Sequence, residues 1–416
     1  IFGQEHTLKA PSQLDPRSYR AYYQERDKLL DAKGCYSSHP QMPRTLYFAY
    51  PVWLAQEAVR KLAADLTALV AKWTGRPIVY AEPIPYDSVT QANKKLLENN
   101  AEAVIFILGK DPRAYHDAAY KNPWRIKRIT EKSIKKHYEA IIHPETDHSR
   151  QNGHRSSPQR QWDGFVRMNA LAMLRLLEGV PFRIQTTGLF EAQLGIDVGY
   201  DRRHFAVSLQ IARQDGQRPS FRTWTDFQIK PDQQHEAINP VMLNDQIVNT
   251  FQRAMGRRFD PIQSLIVFRD GQLFTSEIEG ISTALESLKQ QGIFSPDVHV
   301  ELADFRKNSK KSIRIWEYRS STEVENPLEG VVVFLNSKTA VVTTTGAATL
   351  TQGTSQPYLI YAKSEQADLH NIALAAFHGA QLNWSSLRVA QRLPLVLKTA
   401  DDELKARDAQ EIRLLK

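Results

Sequence analysis

Three aspartates stand in settings where an acid is costly unless a cation meets it. Asp197 lies in "QLGIDVGY" (193–200), between Ile196 and Val198 of a strand-like run. Asp270 closes "SLIVFRDG" (264–271), just before a glycine, and Asp401 closes "LPLVLKTAD" (393–401), where a last helix is expected to begin. The alternation and the apolar runs predict a strand end for each. Neighbouring strands would bring the three carboxylates together, and acids so crowded cannot all stay ionised unaided. Mg²⁺ or Mn²⁺ resolves this, because each prefers oxygen ligands and keeps waters for chemistry. Two such ions about 4 Å apart activate a water and steady the leaving oxygen in phosphodiester cleavage. Each acid also has an ordinary reading. Asp270–Gly271 is a hairpin signal, and Asp401 could cap a helix. Asp197, flanked by apolar residues, has the weakest ordinary explanation.

The elements that must position these acids alternate along the chain. A polar, tyrosine-rich lead-in of about forty residues precedes "TLYFAYP" (45–51), a buried strand. "LAQEAVRKLAADLTALVAKW" (54–73) has apolar residues at helical spacing. "RPIVYAEPIP" is expected as a strand, "SVTQANKKLLENN" as a helix capped by Ser88, and "AEAVIFILGK" as a strand covered on both faces. This β-α-β-α-β order implies a small parallel sheet. A polar loop over 144–161 leads to the helix "WDGFVRMNALAMLRLLEG", then "VPFRIQ" as a short strand. From about Glu191 the pattern changes to three successive strands with short connections, an antiparallel meander. A helix (241–258), the strand of Asp270 and a helix (276–291) follow. Next come "DVHVELADF", "IRIWEYR", "GVVVFLN" and "TAVVTTT" as strands, the helix "DLHNIALAAFHGAQL", a strand-like "LPLVLKTA" and a last helix from Asp401.

Length and charge narrow the class. A chain of 416 residues is too long for one ordinary core, so two domains are expected. Hydrophobic residues at 42% and charged residues at 24% fit a globular protein. No run approaches the ~18 apolar residues of a membrane span, so no membrane partner is expected. The N-terminus lacks signal-peptide order, and the missing initial Met points to a fragment or a processed form. Cys35 is the single cysteine. That excludes internal disulfides and cysteine zinc sites and agrees with a cytoplasmic location.

The net charge of +8 suggests a polyanionic partner because it is clustered. Residues 121–160, with Lys127 and Arg128, hold ten Lys/Arg against four Asp/Glu. The run "RKNSKKSIR" (306–314), with Lys307, Lys310 and Lys311, holds five Lys/Arg and no acid. The ordinary reading of both is a solvated surface; the functional one is a nucleic-acid backbone.

A meander, a helix, a strand, a helix and a late acid is the plan of RNase H-like folds. "GIDVG", "LIVFRDGQLFTSEIEGI" and "RLPLVLKTADDELKA" resemble the three catalytic-acid segments of the PIWI domain of prokaryotic Argonautes. "ELADFRKNSKKSIRIW" and "VVVFLNSKTAVVTTTGAATLTQGTSQPYLI" resemble further PIWI segments. The resemblance covers roughly 191–410. It implies Asp197, Asp270 and Asp401 as metal ligands and catalytic acids, with Asp401 rather than Asp402 as the ligand. It also implies a fourth acid on the loop before the first helix, for which Glu236 is the candidate. The first domain then resembles a MID domain, the Rossmann-like partner that holds a guide 5′ end. Where the family has a Tyr–Lys pair on a helix, this chain has Phe165, Asn169, Met173 and Arg175, and Arg183 follows "VPF". Arg175 and Arg183 are the phosphate candidates by their fork geometry, with surface or domain-interface arginines as the alternative.

The implied fold class is α/β: a Rossmann-like MID domain with its lead-in (1–190), then an RNase H-like PIWI domain with a mixed sheet (191–416). The length leaves no room for N-terminal or PAZ domains. The chain resembles a short Argonaute, the MID–PIWI half of a longer one, or the divergent PIWI-RE branch. The implied function is guide-dependent binding and metal-dependent cleavage of a complementary DNA or RNA strand, in defence against foreign DNA. The implied partners are guide and target strands, with associated helicase or nuclease proteins or self-association. Two alternatives stay open. One is a strand-pairing or strand-exchange module. The other is an actin-like or sugar-kinase ATPase, suggested by the "GIDxG" start and the Gly/Thr-rich "TTTGAATLTQGTSQP", though Tyr200 and Asp201 after Gly199 disfavour phosphate.

Overall fold

The computed structural model describes residues 7–9, 14–36, 38, 42–109, 125–144, 157–177, 179–184, 190–200, 204–213, 220–228, 237–255, 260–307, 313–350, 353–402 and 404. Strand β1 (Thr7–Leu8) and helix α1 (Tyr19–Lys33) come first. Two compact units follow from the contacts: 28–181 with 384–386 form one, and 7–27, 182–383 and the chain from 387 form the other.

The first unit is a parallel α/β layer. Its elements are β2 (Thr45–Pro51), α2 (Gln56–Thr74), β3 (Val79–Tyr80), β4 (Ile84–Tyr86), α3 (Val89–Glu98), β5 (Ala103–Leu108), β6 (Arg125–Thr130), α4 (Glu131–Ile142) and α5 (Pro158–Leu176). The strand order is β3-β2-β5-β6, and every pair is parallel. Strand β5 is apolar throughout because both of its faces are buried. Val59, Leu62, Leu66 and Val70 recur on one buried face of α2. Ser88 caps α3 as expected, its Oγ accepting from the Gln91 amide at 3.3 Å. The segment expected as one strand, "RPIVYAEPIP", divides into β3 and β4, which pair with successive parts of β2. Pro83 and Pro85 remove donors there. Strand β6, "RIKRIT", lies in the basic run, where no strand was expected.

In the second unit β7 (Arg183–Ile184) pairs with β1. Then come β8 (Ala192–Tyr200), β9 (His204–Arg213), β10 (Ser220–Gln228), α6 (Pro240–Met255), β11 (Ile262–Asp270), α7 (Thr275–Gln290) and β12 (Phe294–Arg306). A small hairpin, β13 (Glu317–Tyr318) with β14 (Val324–Glu325), precedes β15 (Val332–Asn336), β16 (Thr339–Val342), β17 (Tyr358–Ala362) and α8 (Leu369–Gln381). Helix α9 runs over 395–402. The mixed sheet has the order β10-β9-β8-β11-β12-β17-β16-β15. Its first five strands are the RNase H-like arrangement: an antiparallel meander whose first strand, β8, lies parallel to β11, with β11 parallel to β12. No helix of the described residues is long and apolar enough to cross a membrane.

Alternation along β8 sorts its residues to two faces. Ala192, Leu194 and Ile196 join the core formed with Leu243 and Ile247 of α6 and Ile281 and Leu285 of α7. Gln193 points the other way and donates to the Ala375 carbonyl of α8 at 3.4 Å. Gly195 meets α9, so closely that a Cβ there would lie 2.8 Å from Val396.

Two expected strands are corrected. "LPLVLKTA" is helical: the Lys398 amide donates to Pro394 at 2.8 Å and Thr399 Oγ1 to Leu395 at 2.9 Å. An apolar run of this length fits a buried helix as well as a buried strand, and Pro394 is placed where a helix begins. Of "IRIWEYR", Glu317–Tyr318 alone is strand among the described residues.

Candidate functional site

The strand register brings the acids together. Ile196 of β8 pairs with Arg269 of β11, so Asp197 and Asp270 follow at the same level on adjacent parallel strands. Gly271, at φ 98°, turns the chain after Asp270, and α7 follows. The Asp-Gly step is therefore a strand-to-helix turn, not a hairpin. Asp401 arrives from α9, on the face of β8 where Gly195 and Asp197 point. Asp401 is thus helical, not a strand-end residue, and it is not an N-cap, since six helical residues precede it. One carboxylate oxygen from each of Asp197, Asp270 and Asp401 lies within 4.8 Å of the others. Asp402 turns away and pairs with Lys398 on the same helix.

Burial and mutual repulsion set the protonation of this group. Asp197 is 8% exposed. Desolvation, followed by the charge of Asp270, pushes its pKa up to about 7, against the pull of Lys307 and Arg269. Desolvation also raises Asp270. The Asp197 Oδ1 accepts from the Val198 amide at 2.9 Å, which fixes the carboxylate. Three hard oxygen donors, converging and under-neutralised, are a donor set suited to Mg²⁺ or Mn²⁺.

The described structure places Lys307 inside the centre. Its ammonium pairs with Asp270 and, at 2.7 Å, with Asp401. Burial opposes its charge, but Asp270 and Asp197 outweigh that and raise its pKa. The dense basic run had suggested a solvated side chain or a backbone contact. Arg392 holds the Lys307 carbonyl at 3.2 Å and lies over the Tyr358 ring.

A second layer fixes the strand ends. Arg269, 1% exposed, pairs with the fully buried Glu277 at 3.4 Å and donates to the Asp270 carbonyl. Glu277 also accepts the amides of Phe274 (3.0 Å) and Ile238 (3.2 Å), tying the start of α7 to the approach to α6. Asp304 of β12 accepts from the Leu273 amide and pairs with Arg306 and Lys363. Sequence reading missed these residues. Glu277, three residues after Phe274 at a helix start, was the available signal.

The remaining candidates are spread more widely. Glu236, Lys310 and Lys311 lie outside the described residues. Lys127 and Arg128 lie on β6, pairing with Ile105 and Phe106 in the sheet register, and burial lowers the pKa of Lys127. Arg175, near the end of α5, reaches Ser385 at 3.4 Å. Arg183 belongs to β7 of the second unit. Phe165, Asn169 and Met173 are buried, and Asn169 donates to the Phe165 carbonyl. That face of α5 is core. The Gly/Thr-rich segment after β16 already surrounds an anion: Glu329 accepts from the amides of Gly346 (3.1 Å) and Ala348 (3.3 Å) and from Thr349 Oγ1 (2.7 Å). A nucleotide phosphate has no claim on those donors, which disfavours the ATPase alternative.

No protein-family model and no curated protein matches the sequence. Solved structures do. Clostridium butyricum Argonaute bound to a guide DNA and a 19-mer target DNA superposes with a TM-score of 0.66 at 16% identity. That match covers 92% of this chain and 50% of the other. The C-terminal lobe of a budding yeast Argonaute gives 0.67 at 13% identity, covering 92% and 81%. Aquifex aeolicus Argonaute gives 0.58 at 14% identity, covering 97% and 52%. The chain spans about half the length of the two bacterial proteins. With a Rossmann-like unit followed by an RNase H-like one, this chain has the Argonaute fold, at the extent of that protein's C-terminal lobe.

Proposed function

We propose that this chain is an Argonaute-family protein that holds a guide strand and cleaves the strand paired to it, with Mg²⁺ or Mn²⁺, in defence against foreign DNA. The observation that carries the reading is the convergence of Asp197 and Asp270, on adjacent strands of an RNase H-like sheet, with Asp401 of α9. In this reading residues 1–190 are the MID-like part and 191–416 the PIWI part. The buried α5 face at Phe165, Asn169 and Met173 supports a divergent guide pocket, as in the PIWI-RE branch. The chain acts in the cytoplasm, with an associated helicase or nuclease as a further partner.

The three aspartates would hold the cation, which when bound polarises the phosphate and lowers the pKa of a water. Asp197 and Asp270, fixed by adjacent strands, set the spacing of the donors. Asp401 closes the group from α9, and Glu236 joins as the fourth acid. Lys127, Arg128, Arg175, Arg183, Lys310 and Lys311 supply positive charge toward the phosphate backbone, while Lys307 is turned to the acids.

Purified protein given a guide, a labelled complementary strand and Mn²⁺ is expected to cut that strand at one position. Asp197→Ala should abolish cutting while annealing persists. Cutting that ignores the guide, or that survives Asp197→Ala, overturns the proposal. Annealing without cutting in the wild type identifies a strand-pairing module instead.

A further inference from the structure

We propose that Lys307 is a resident cation of the acidic centre, limiting it to one divalent ion by taking the place of a second. The occupancy limit rests on the metal-centre reading above, and the resident-cation role rests on geometry alone.

Position is the first argument. Strand β12 lies parallel to β11, with Asp270 opposite Phe305, so the residues just beyond Phe305 reach the level of the acids. Arg306 is drawn aside, its guanidinium on Asp304 at 2.8 Å and 4.4 Å from the Tyr361 ring centroid. The next side chain, Lys307, enters the cluster and bridges Asp270 and Asp401. Its carbonyl accepts from Arg392 at 3.2 Å, which fixes the main chain from which the side chain reaches the acids.

Charge is the second argument. Among the described residues, three carboxylates and one ammonium leave a formal charge of −2, which one divalent ion cancels, so the ammonium already does part of the neutralising a second ion would do. Arg269, the other cation acting on Asp197, is committed to Glu277 and the Asp270 carbonyl. Lys363 and Arg306 are committed to Asp304. A compact ammonium with three donors suits a place between two carboxylates. Together these assign to Lys307 the neutralising role that a second metal would otherwise fill.

The test is a Mn²⁺ titration of the full chain, counting bound ions by electron paramagnetic resonance, alongside melting curves in chelator. Wild type should bind one ion. Lys307→Met should bind two, the first about tenfold tighter because a competing positive charge is gone. Lys307→Arg should keep the count at one. In chelator, Lys307→Met should melt below wild type, and adding Asp270→Asn should recover much of the loss by removing one of the three repelling charges. A wild type that binds two ions overturns the one-ion limit and leaves the metal-centre reading intact. A wild type that binds none overturns both the metal-centre reading and the limit, and the chelator curves then decide the resident role alone. Equal melting of wild type and Lys307→Met overturns that role.

Discussion

At the scale of single residues, Asp197 is an acid whose surroundings hold its proton. Desolvation, then Asp270, raises its pKa in the fold from 3.8 to about 7. Between those values the native chain binds a proton that the unfolded chain does not, so stability falls as pH rises from about 4 to about 7. Chemical denaturation in chelator should show this decline, and Asp197→Asn should flatten it relative to wild type. Saturating Mn²⁺ should reverse the slope, since ligands bind metal in their deprotonated form. A wild type and Asp197→Asn with the same pH profile would remove Asp197 from that role. The acid itself was legible: a carboxylate between Ile196 and Val198 breaks an apolar pattern without a turn or cap to excuse it. The placement of Lys307 was not legible. In "RKNSKKSIR" every cation looks alike, and only the pairing of Arg306 with Asp304 decides which neighbour turns inward.

At the scale of elements, the centre depends on how closely α9 approaches β8. Gly195 has no side chain, and that absence lets the two backbones meet. Gly195→Ala would place a Cβ 2.8 Å from Val396. Overpacking of this kind costs about 1–3 kcal/mol, read as a lower denaturation midpoint. Moving α9 outward also moves Asp401, so Mn²⁺ affinity should fall together with stability. Unchanged affinity would mean that the helix tilts without displacing the acid. The first glycine of "GIDVG" is therefore a packing residue. The helical state of "LPLVLKTA" escaped sequence reading because a buried run carries no polar face to reveal its period. Strand β6 escaped for the opposite reason, since "RIKRIT" carries three basic residues within a parallel sheet. The β8–β10 meander and β11 were plain, because alternation and length agree there.

At the scale of the whole molecule, the second unit is stitched from distant parts of the chain. Arg26 of α1 is fully buried. It donates to the carbonyls of Gln381 (2.6 Å), Leu387 (2.9 and 2.8 Å) and Val389 (3.0 Å). Its guanidinium also lies over the rings of Tyr23 and Phe182. Arg388 pairs with Asp27 at 2.7 Å beside it. These contacts hold the segment between α8 and α9, and so the approach of Asp401. Arg26→Met should cost about 3 kcal/mol or more by leaving several carbonyls without a donor, measured by urea denaturation. A loss below about 0.5 kcal/mol would mean that water replaces the guanidinium. The change of pattern near Glu191 was legible, and β8 of the meander begins there at Ala192. The enrolment of residues 7–27 in the second unit was not, because a polar, charged helix gives no hint of a partner 355 positions away. That separation sets a timetable on the ribosome. At about 5–20 residues per second, roughly 20–70 s pass between the synthesis of Arg26 and that of its acceptors. The tyrosine-rich face of α1 must wait through that interval before its partners in the chain exist, so its burial is a late event of folding on the ribosome.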